Sequence, residues 1–305
     1  MASGDIISAT DYNTIQTKIN TVMGTGSGSF GYGQTVNSSQ VTVGNTVTKT
    51  QWDALRYDIV NALLHQSGVG PTIATVNVGD VIRYGAANPN FQYNTLADTA
   101  TSNRFNIGSG RFFTQVLQTT SRTSSWTSAV STTATVTFNT AEQARFFFNS
   151  GGKVRFTSSR SGGSSSSQNN SWSNVLTTAG TQALGASGSS VNFYNLTSAY
   201  QTFYLVSSSS PYSANTYRIE ASCNVSNNSS GTANILNFRV TWSDAYRDPD
   251  AVAGRPESLN PPTDVVDGTL SLTIDELRAT GSVQPSGTFT ITGPASSTLN
   301  SISGS

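Results

Sequence analysis

The chain has few ionisable side chains. Only 10% of its 305 residues are Asp, Glu, Lys or Arg, and the formal net charge is zero. A neutral surface of hydroxyl and amide groups creates no long-range field that would attract a polyanion. This composition argues against nucleic acid and membrane as partners. It suits hydrogen-bonded β surfaces packed in a large particle.

Cysteine and histidine occur once each, as Cys223 and His65. A single cysteine excludes an intrachain disulfide and a cysteine-based metal cluster within one chain. A single histidine removes most zinc sites and most Ser-His or Cys-His catalysis. His65 falls in the last turn of a predicted helix, where we expect a capping or surface residue rather than a metal ligand. The sequence predicts no cofactor and no bound metal.

Long apolar runs are also missing, and no basic segment followed by an apolar one stands at the N-terminus. A membrane-spanning helix needs roughly 18 or more apolar residues, and a secretory signal needs both segments. We therefore expect a soluble protein that is not secreted by a standard signal.

A strand-plus-helix pattern occurs three times within residues 1–105. Residues 4–15 and 44–55 match position for position: a short apolar strand, a Ser/Thr-rich turn, an aromatic residue and an amphipathic helix. A looser third copy begins at residue 79 and resumes after an insertion at residue 93. A unit of this size cannot bury its apolar side alone, so we expect an α+β assembly or docking module. The competing interpretation is a three-helix cap with chance similarity.

Apolar residues at matching places in the repeats are the candidate assembly residues. Predicted helices over residues 10–23 and 50–66 carry them on one face, with Tyr12 and Trp52 at equivalent positions. Anchoring core aromatics are the preferred interpretation of this pair. The full set is Tyr12, Ile15, Trp52, Leu55, Tyr93 and Leu96.

Two stretches resemble ligand sites only in composition. Residues 24–33 are rich in glycine, but they follow a helix and no Gly-Lys-Ser/Thr comes after them, which argues against nucleotide binding. Asp244, Asp248 and Asp250 lack the central glycine and terminal glutamate of a calcium loop. We interpret residues 244–263, which contain several prolines, as a linker or an extended arm.

From about residue 111 the pattern changes to the period of two that is typical of strands. A capping box predicts a helix over residues 140–150, and a second helix is expected at 174–183. Of Phe146, Phe147 and Phe148, at least one is expected to contact a neighbouring domain or subunit. Residues 227–231 predict a hairpin loop. Strands are expected around Phe113, Val116 and Leu117 and at residues 133–138, 153–157, 191–194, 201–206, 217–221, 235–242, 265–274 and 288–292.

Many short strands separated by turn signals predict an antiparallel sandwich. The expected fold class is mainly β, with a small α+β N-terminal module at residues 1–105. An antiparallel β-sandwich-like central domain follows at 106–243, and the linker or arm at 244–263. Residues 264–305 are expected to form a small β module or a strand-donating extension.

No local arrangement of side chains in the sequence indicates a catalytic site. Each glutamate has a context explained by a cap, a strand surface or the linker: Glu142, Glu220, Glu257 and Glu276. Aromatic residues beside amides could bind carbohydrate, although burial in the sandwich core is the preferred interpretation. The available residues are Trp126, Trp172, Tyr194, Tyr200 and Tyr212.

Five strings carry a family resemblance: residues 4–15, 51–61, 84–89, 147–156 with the loop that follows, and 222–225. In them the chain resembles virion structural proteins of contractile-tailed bacteriophages that infect marine cyanobacteria. The resemblance covers roughly residues 1–245. It implies a particle component, present in the virion after assembly in the host cytoplasm, and it carries over no catalytic residues.

We therefore expect a non-enzymatic virion component, a neck- or tail-attached fibre or appendage protein. Its expected partners are its own copies, in a trimer or ring, and other virion proteins of the neck or tail. One alternative is a fibre tip that binds host-surface glycan, and another is a head-decoration protein. An enzyme such as a polysaccharide depolymerase is the least favoured interpretation.

Overall fold

The computed structural model describes residues 8–75, 77, 92–247 and 265–304. Over these residues the fold is mainly β, with eleven strands in two antiparallel sheets and three helices towards the N-terminus. The helices are α1 (Ala9–Met23), α2 (Lys49–Ser67), α3 (Tyr93–Ser102), α4 (Ala141–Asn149) and α5 (Ser167–Ala179). The strands are β1 (Phe112–Arg122), β2 (Ala129–Thr137), β3 (Lys153–Ser161), β4 (Thr181–Leu184), β5 (Gln201–Ser207), β6 (Thr216–Cys223), β7 (Ile235–Ser243), β8 (Thr269–Ser282), β9 (Thr288–Thr290), β10 (Ser296–Leu299) and β11 (Ser303–Gly304).

Helices α1 and α2 begin with the same cap. The Ser8 hydroxyl accepts a hydrogen bond from the Asp11 backbone, and the Asp11 carboxylate accepts one from the Ser8 backbone. Thr48 and Gln51 repeat this arrangement at α2. Such a capping box satisfies backbone donors that have no partner inside the helix. Because these pairs occupy matching positions, the first two repeats encode the same helix start.

The strand expected before α2, at residues 44–47, is not formed, so that prediction was wrong. Residues 43–45 make a turn, and Gly44 has a φ of +94°. A turn at this point leads the chain directly into the capping box at Thr48 and leaves no extended segment to pair. The corresponding strands of the other two copies, at residues 4–7 and 79–84, lie outside the described residues.

The chain divides into two compact units, and their boundaries differ from the four successive segments expected. The first unit comprises Met1–Thr114, Ala141–Lys153 and Leu277–Gly293, and the second comprises Gln115–Thr140, Val154–Glu276 and Pro294–Ser305. C-terminal residues thus contribute to both units. Pairing between strands far apart in the chain leaves no trace in local composition. Of the linker expected at residues 244–263, residues 248–263 lie outside the described part.

The second unit contains a six-stranded sheet in the order β10-β2-β7-β6-β5, with β11 pairing to β2. Strands β6 and β7 pair antiparallel from Thr216 opposite Ser243 to Cys223 opposite Leu236. Residues 224–234 therefore connect the two strands of a hairpin. The hairpin loop expected at 227–231 is confirmed.

Apolar residues alternate along the strands and form the core of the second unit. In β7 every second residue is buried: Leu236, Phe238, Val240 and Trp242. Phe156 of β3 packs on Phe238 with ring centroids 4.8 Å apart, and Ser158 of β3 donates a hydrogen bond to the Tyr217 hydroxyl at 2.9 Å. Strand β3 belongs to the other sheet, ordered β1-β8-β3-β4. Two sheet faces that share one core define a sandwich.

The structure differs from two local predictions, and in both cases a side-chain cap explains the difference. Residues 191–194 were expected as a strand, but Phe193–Asn195 is a short 3-10 helix, because the Asn192 side chain accepts from the Tyr194 backbone. The helix expected at 174–183 lies earlier, at Ser167–Ala179. Ser166 caps its start, and Gly180, with a φ of +57°, ends it.

Helix α4 confirms the helix expected at residues 140–150. Phe147 and Phe148 are fully buried, whereas Phe146 is half-buried and its ring lies against Gly33. Gly33 has a φ of +67°, and a Cβ atom there would collide with that ring. Contact between one of these phenylalanines and a neighbouring domain or subunit stays a prediction.

Candidate assembly surface

The candidate assembly residues meet in the interior of the three N-terminal helices. The Tyr12 ring on α1 stands edge-on to Trp52 on α2 with centroids 5.2 Å apart, and Trp52 contacts Tyr93 on α3 at 5.0 Å. The Tyr12 hydroxyl donates to the Gln51 carbonyl oxygen at 3.1 Å. Ile15 and Leu55 are also buried, and only Leu96 is partly exposed.

Five of the six candidates thus fill the core of their own chain. The exposed fractions of Tyr12, Trp52 and Tyr93 are 0%, 4% and 2%. Side chains with so little accessible surface stabilise the helices and cannot contact another chain without unfolding them. A docking role of the N-terminal helices stays a prediction, and it would have to use their outer faces.

Asp58 fixes the loop that connects α1 to α2. One carboxylate oxygen accepts from the backbone and side-chain nitrogens of Asn37 at 2.9 and 2.7 Å, and the other accepts from the backbone and hydroxyl of Ser38 at 2.8 and 2.6 Å. Asp58 is only 1% exposed. Four donors compensate the burial of this charge, so its role is structural.

His65 is buried, so the expectation of a capping or surface residue was wrong. Its ring stacks on Phe289 with centroids 4.3 Å apart and planes 9° apart, and Nε2 lies 2.8 Å from the Ser150 carbonyl oxygen. Nδ1 is also buried and has no hydrogen-bond partner among the described residues. Burial, with Arg111 nearby, lowers the pKa of His65 to about 4. Residues 277–293, which supply Phe289, are too distant in sequence for local patterns to show this burial.

Carboxylates of the second unit are held by donors of the same chain. Glu220 accepts two bonds from Arg239, at 2.7 and 3.0 Å, and this interaction lowers the pKa of Glu220. Asp244 is 1% exposed and accepts from the Gln168 amide at 2.6 Å and the Trp172 indole at 3.1 Å. Burial raises the pKa of Asp244. Such groups have structural partners and do not form a cleft with paired carboxylates.

Side chains that commonly bind metal ions do not cluster in the described part of the chain. Among the described residues, no group of three His, Cys, Asp or Glu side chains could hold a metal ion. Asp248 and Asp250, considered above as possible calcium ligands, lie outside the described residues. The carboxylate oxygens of Asp244 accept hydrogen bonds from N–H donors. The described helices include none that is long and apolar enough to cross a membrane.

The five aromatic residues considered for carbohydrate binding fall into two groups. Trp126 and Trp172 are buried and pack on each other with ring centroids 6.0 Å apart. Tyr194 and Tyr212 are half-buried, and Tyr200 is 38% exposed. The Arg239 guanidinium carbon lies 4.7 Å from the centroid of the Tyr200 ring. The core interpretation therefore holds for the tryptophans only.

Exposed apolar side chains concentrate at sheet edges. Of the seven large apolar side chains that are exposed in the described part of the chain, three lie on β1: Phe112, Phe113 and Val116. Two more, Tyr200 and Leu205, lie beside or within β5. Strands β1 and β5 are each at the edge of a sheet. An edge strand exposes unpaired backbone groups, so apolar side chains there favour pairing with another chain.

Strand β1 lacks the bulge and the short length that protect the other edge strands, although its second half is contacted by Ser297, which hydrogen-bonds to Leu117 and Gln118. Strand β5 is interrupted by a bulge between Thr202 and Tyr204, and β4 and β10 are only four residues long. Bulges and short edges are common protections against unwanted pairing. Strand β1 has eleven residues with neither proline nor lysine, and Phe112 to Val116 are all exposed. Sequence reasoning missed this surface because strand order is needed to identify an edge.

Comparison of the chain with protein-family models, with curated proteins and with solved structures finds no match. Function is therefore inferred from the sequence and from the geometry of this chain.

Proposed function

We propose that this chain is a non-enzymatic structural component of a tailed-phage virion, a neck- or tail-attached fibre or appendage protein that acts as a homo-oligomer. The observation that carries the proposal is β1, an edge strand of eleven residues whose first half, residues 112–116, is exposed and has neither charge nor proline. A protein built to remain monomeric normally protects such an edge. The sequence resemblance to virion proteins of cyanobacterial phages supports the particle context.

The ionisable groups support a structural role as well. Asp58, Glu220 and Asp244 each accept hydrogen bonds from donors of their own chain. A general acid or base must instead reach a substrate through a cleft. The low charge of the chain, at 10% ionisable residues, also suits close packing against neutral neighbours.

A second candidate is glycan binding by a fibre tip. It is favoured by the exposed Tyr200 ring beside Arg239, because aromatic faces near charged or amide groups are common in polar-ligand sites. Binding of the purified chain to a glycan array, lost in a Tyr200→Ala variant and retained in a Tyr212→Ala variant, would favour this candidate. Head decoration is the third candidate, and particle labelling separates it from the first.

Gold-labelled antibodies raised against the chain are expected to mark the neck or tail of purified virions of the phage that encodes it. Labelling should disappear after preadsorption of the antibodies with purified chain, which is the control. Gold particles on the capsid faces would favour head decoration over a tail position. Virions that lack the chain, by labelling and by protein mass spectrometry, would overturn the proposed function.

A further inference from the structure

The backbone of β1 turns its polar groups alternately towards β8 and towards the open edge. The Arg111 carbonyl oxygen accepts from the Thr280 backbone N–H at 2.9 Å, so this carbonyl points to β8, whereas the Arg111 N–H donates to the Gly108 carbonyl oxygen at 3.1 Å. Successive residues of a strand point their N–H and C=O groups to opposite sides. The backbone groups of Phe112, Thr114 and Val116 therefore face the edge away from β8.

Side chains follow the same alternation above and below the sheet. Phe112, Thr114 and Val116 share one face, and Phe113 and Gln115 share the other. The exposed fractions of Phe112 and Val116 are 36% and 59%. Phe113 is partly covered, because the Arg278 guanidinium carbon lies 4.5 Å from the centroid of its ring. The more open face is thus apolar at both ends and has a threonine in the middle.

This pattern is complementary to itself in antiparallel orientation. When two copies of the strand are centred on Thr114, Phe112 of each copy lies opposite Val116 of the other. Aromatic residues paired with β-branched residues stabilise antiparallel sheets by about 0.2–1 kcal/mol per pair. The same register places the outward backbone groups of the two strands opposite each other.

The charge distribution also favours a second copy in this orientation. Residues 112–116 carry no charge, and the flanking Arg111 is 8% exposed and donates to the Ser282 carbonyl oxygen at 2.6 Å. At the other end, Arg122 donates to the carbonyl oxygens of Ser124 and Ser125. Antiparallel pairing keeps the arginines of the two copies apart, whereas parallel pairing would place like charges side by side.

We propose that β1 of one copy pairs antiparallel with β1 of a second copy around a two-fold axis at Thr114. This inference rests on the proposed homo-oligomeric function and adds the interface and its register. A two-fold contact joins chains in pairs, so the smallest closed assembly is a dimer. A two-fold dimer differs in this respect from the trimer or ring expected from the sequence.

Disulfide formation at the axis tests the register. In a hydrogen-bonded antiparallel pair the two Cα atoms are about 5.5 Å apart, which is within the range of about 4.4–6.8 Å that a disulfide spans. Under mild oxidation the Thr114→Cys variant is expected to convert mostly to a covalent dimer. The matched control is Thr119→Cys, also exposed on β1 but away from the axis, and it should stay largely uncrosslinked. Native Cys223 is buried and should not react.

The crosslinking yields of the two cysteine variants decide whether β1 pairs as proposed. Covalent dimer from Thr114→Cys and little from Thr119→Cys supports the pairing. Equal crosslinking of the two variants, or none in a chain that is oligomeric by light scattering, overturns the β1 interface and leaves the virion role standing. A crosslink from the Thr114→Cys variant to a different virion protein on intact particles overturns the second copy as the partner. Absence of the chain from virions overturns the proposed function alone.

Discussion

Acidification from pH 6.5 to pH 4 is expected to lower the free energy of unfolding through one residue, His65, by about 3 kcal/mol. His65 is neutral in the folded chain and mostly neutral in the unfolded chain at pH 7, so it changes stability little there. Below pH 6.5 the unfolded chain binds a proton, while the folded chain, with a pKa of about 4, does not. Stability is therefore lost as the pH falls through this window, and the loss is complete below about pH 4.

The geometry explains why protonation of the folded chain is unfavourable. Nε2 faces the Ser150 carbonyl oxygen, so the added proton must go to Nδ1, which is buried and has no acceptor among the described residues. In the described part of the chain no counter-charge faces the imidazole: the Phe289 ring stacks on it, the Tyr32 ring stands edge-on at 5.2 Å, and Arg111 adds a positive field.

Urea unfolding of the wild type and of His65→Gln between pH 7 and pH 4 tests this prediction. The glutamine amide can still donate to Ser150 but does not titrate. All other groups titrate in both proteins, so the difference between the two curves isolates His65. We expect this difference to change by about 3 kcal/mol across the window. Parallel curves would show that His65 does not titrate in the way described.

Replacement of Trp52 by alanine is expected to destabilise the folded chain by about 3–5 kcal/mol. Trp52 is 4% exposed and contacts both Tyr12 and Tyr93, so the truncation leaves a cavity among three helices. Val69→Ala is the control in the same unit. Val69 is 75% exposed, and its truncation should change stability by less than about 0.5 kcal/mol.

The same variant separates a core role from an assembly role. If Trp52 acts in the core, the Trp52→Ala protein should keep the wild-type oligomeric state at urea concentrations where it is still folded. Urea unfolding and light scattering on the same samples measure both properties. An oligomer that dissociates without loss of stability would instead assign assembly to the residues predicted from the repeats.

Local patterns predicted the elements of this fold well where the determinants are local. Apolar spacing and caps located α1 and α2 to within about a residue or two, and period-two alternation located β6 and β7. The error at residues 191–194 has a local cause, because Asn192 offers a side-chain cap that competes with an extended backbone. Capping also moved α5 towards the N-terminus.

Long-range pairing could not be predicted from local patterns. Strand β8 lies between β1 and β3, and β10 pairs with β2, although long stretches of chain separate these partners. The burial of His65 by Phe289 is a consequence of the same long-range folding. The edge position of β1 could not be predicted for the same reason. Phe113, Val116 and Leu117 predicted a strand, but only the order of strands in the sheet places that strand at an edge.

The solution mass of the chain, measured beside that of a Val116→Lys variant, tests the central claim most directly. Lysine at this position places an ammonium group opposite Phe112 of the second copy and protects the edge. Val116 is 59% exposed, so stability should not change. We expect a dimer or an even multiple for the wild type, a monomer for the variant, and coincident urea unfolding at the low protein concentrations where both are monomeric. A monomeric wild type, or a variant with the wild-type mass, would contradict assembly through β1.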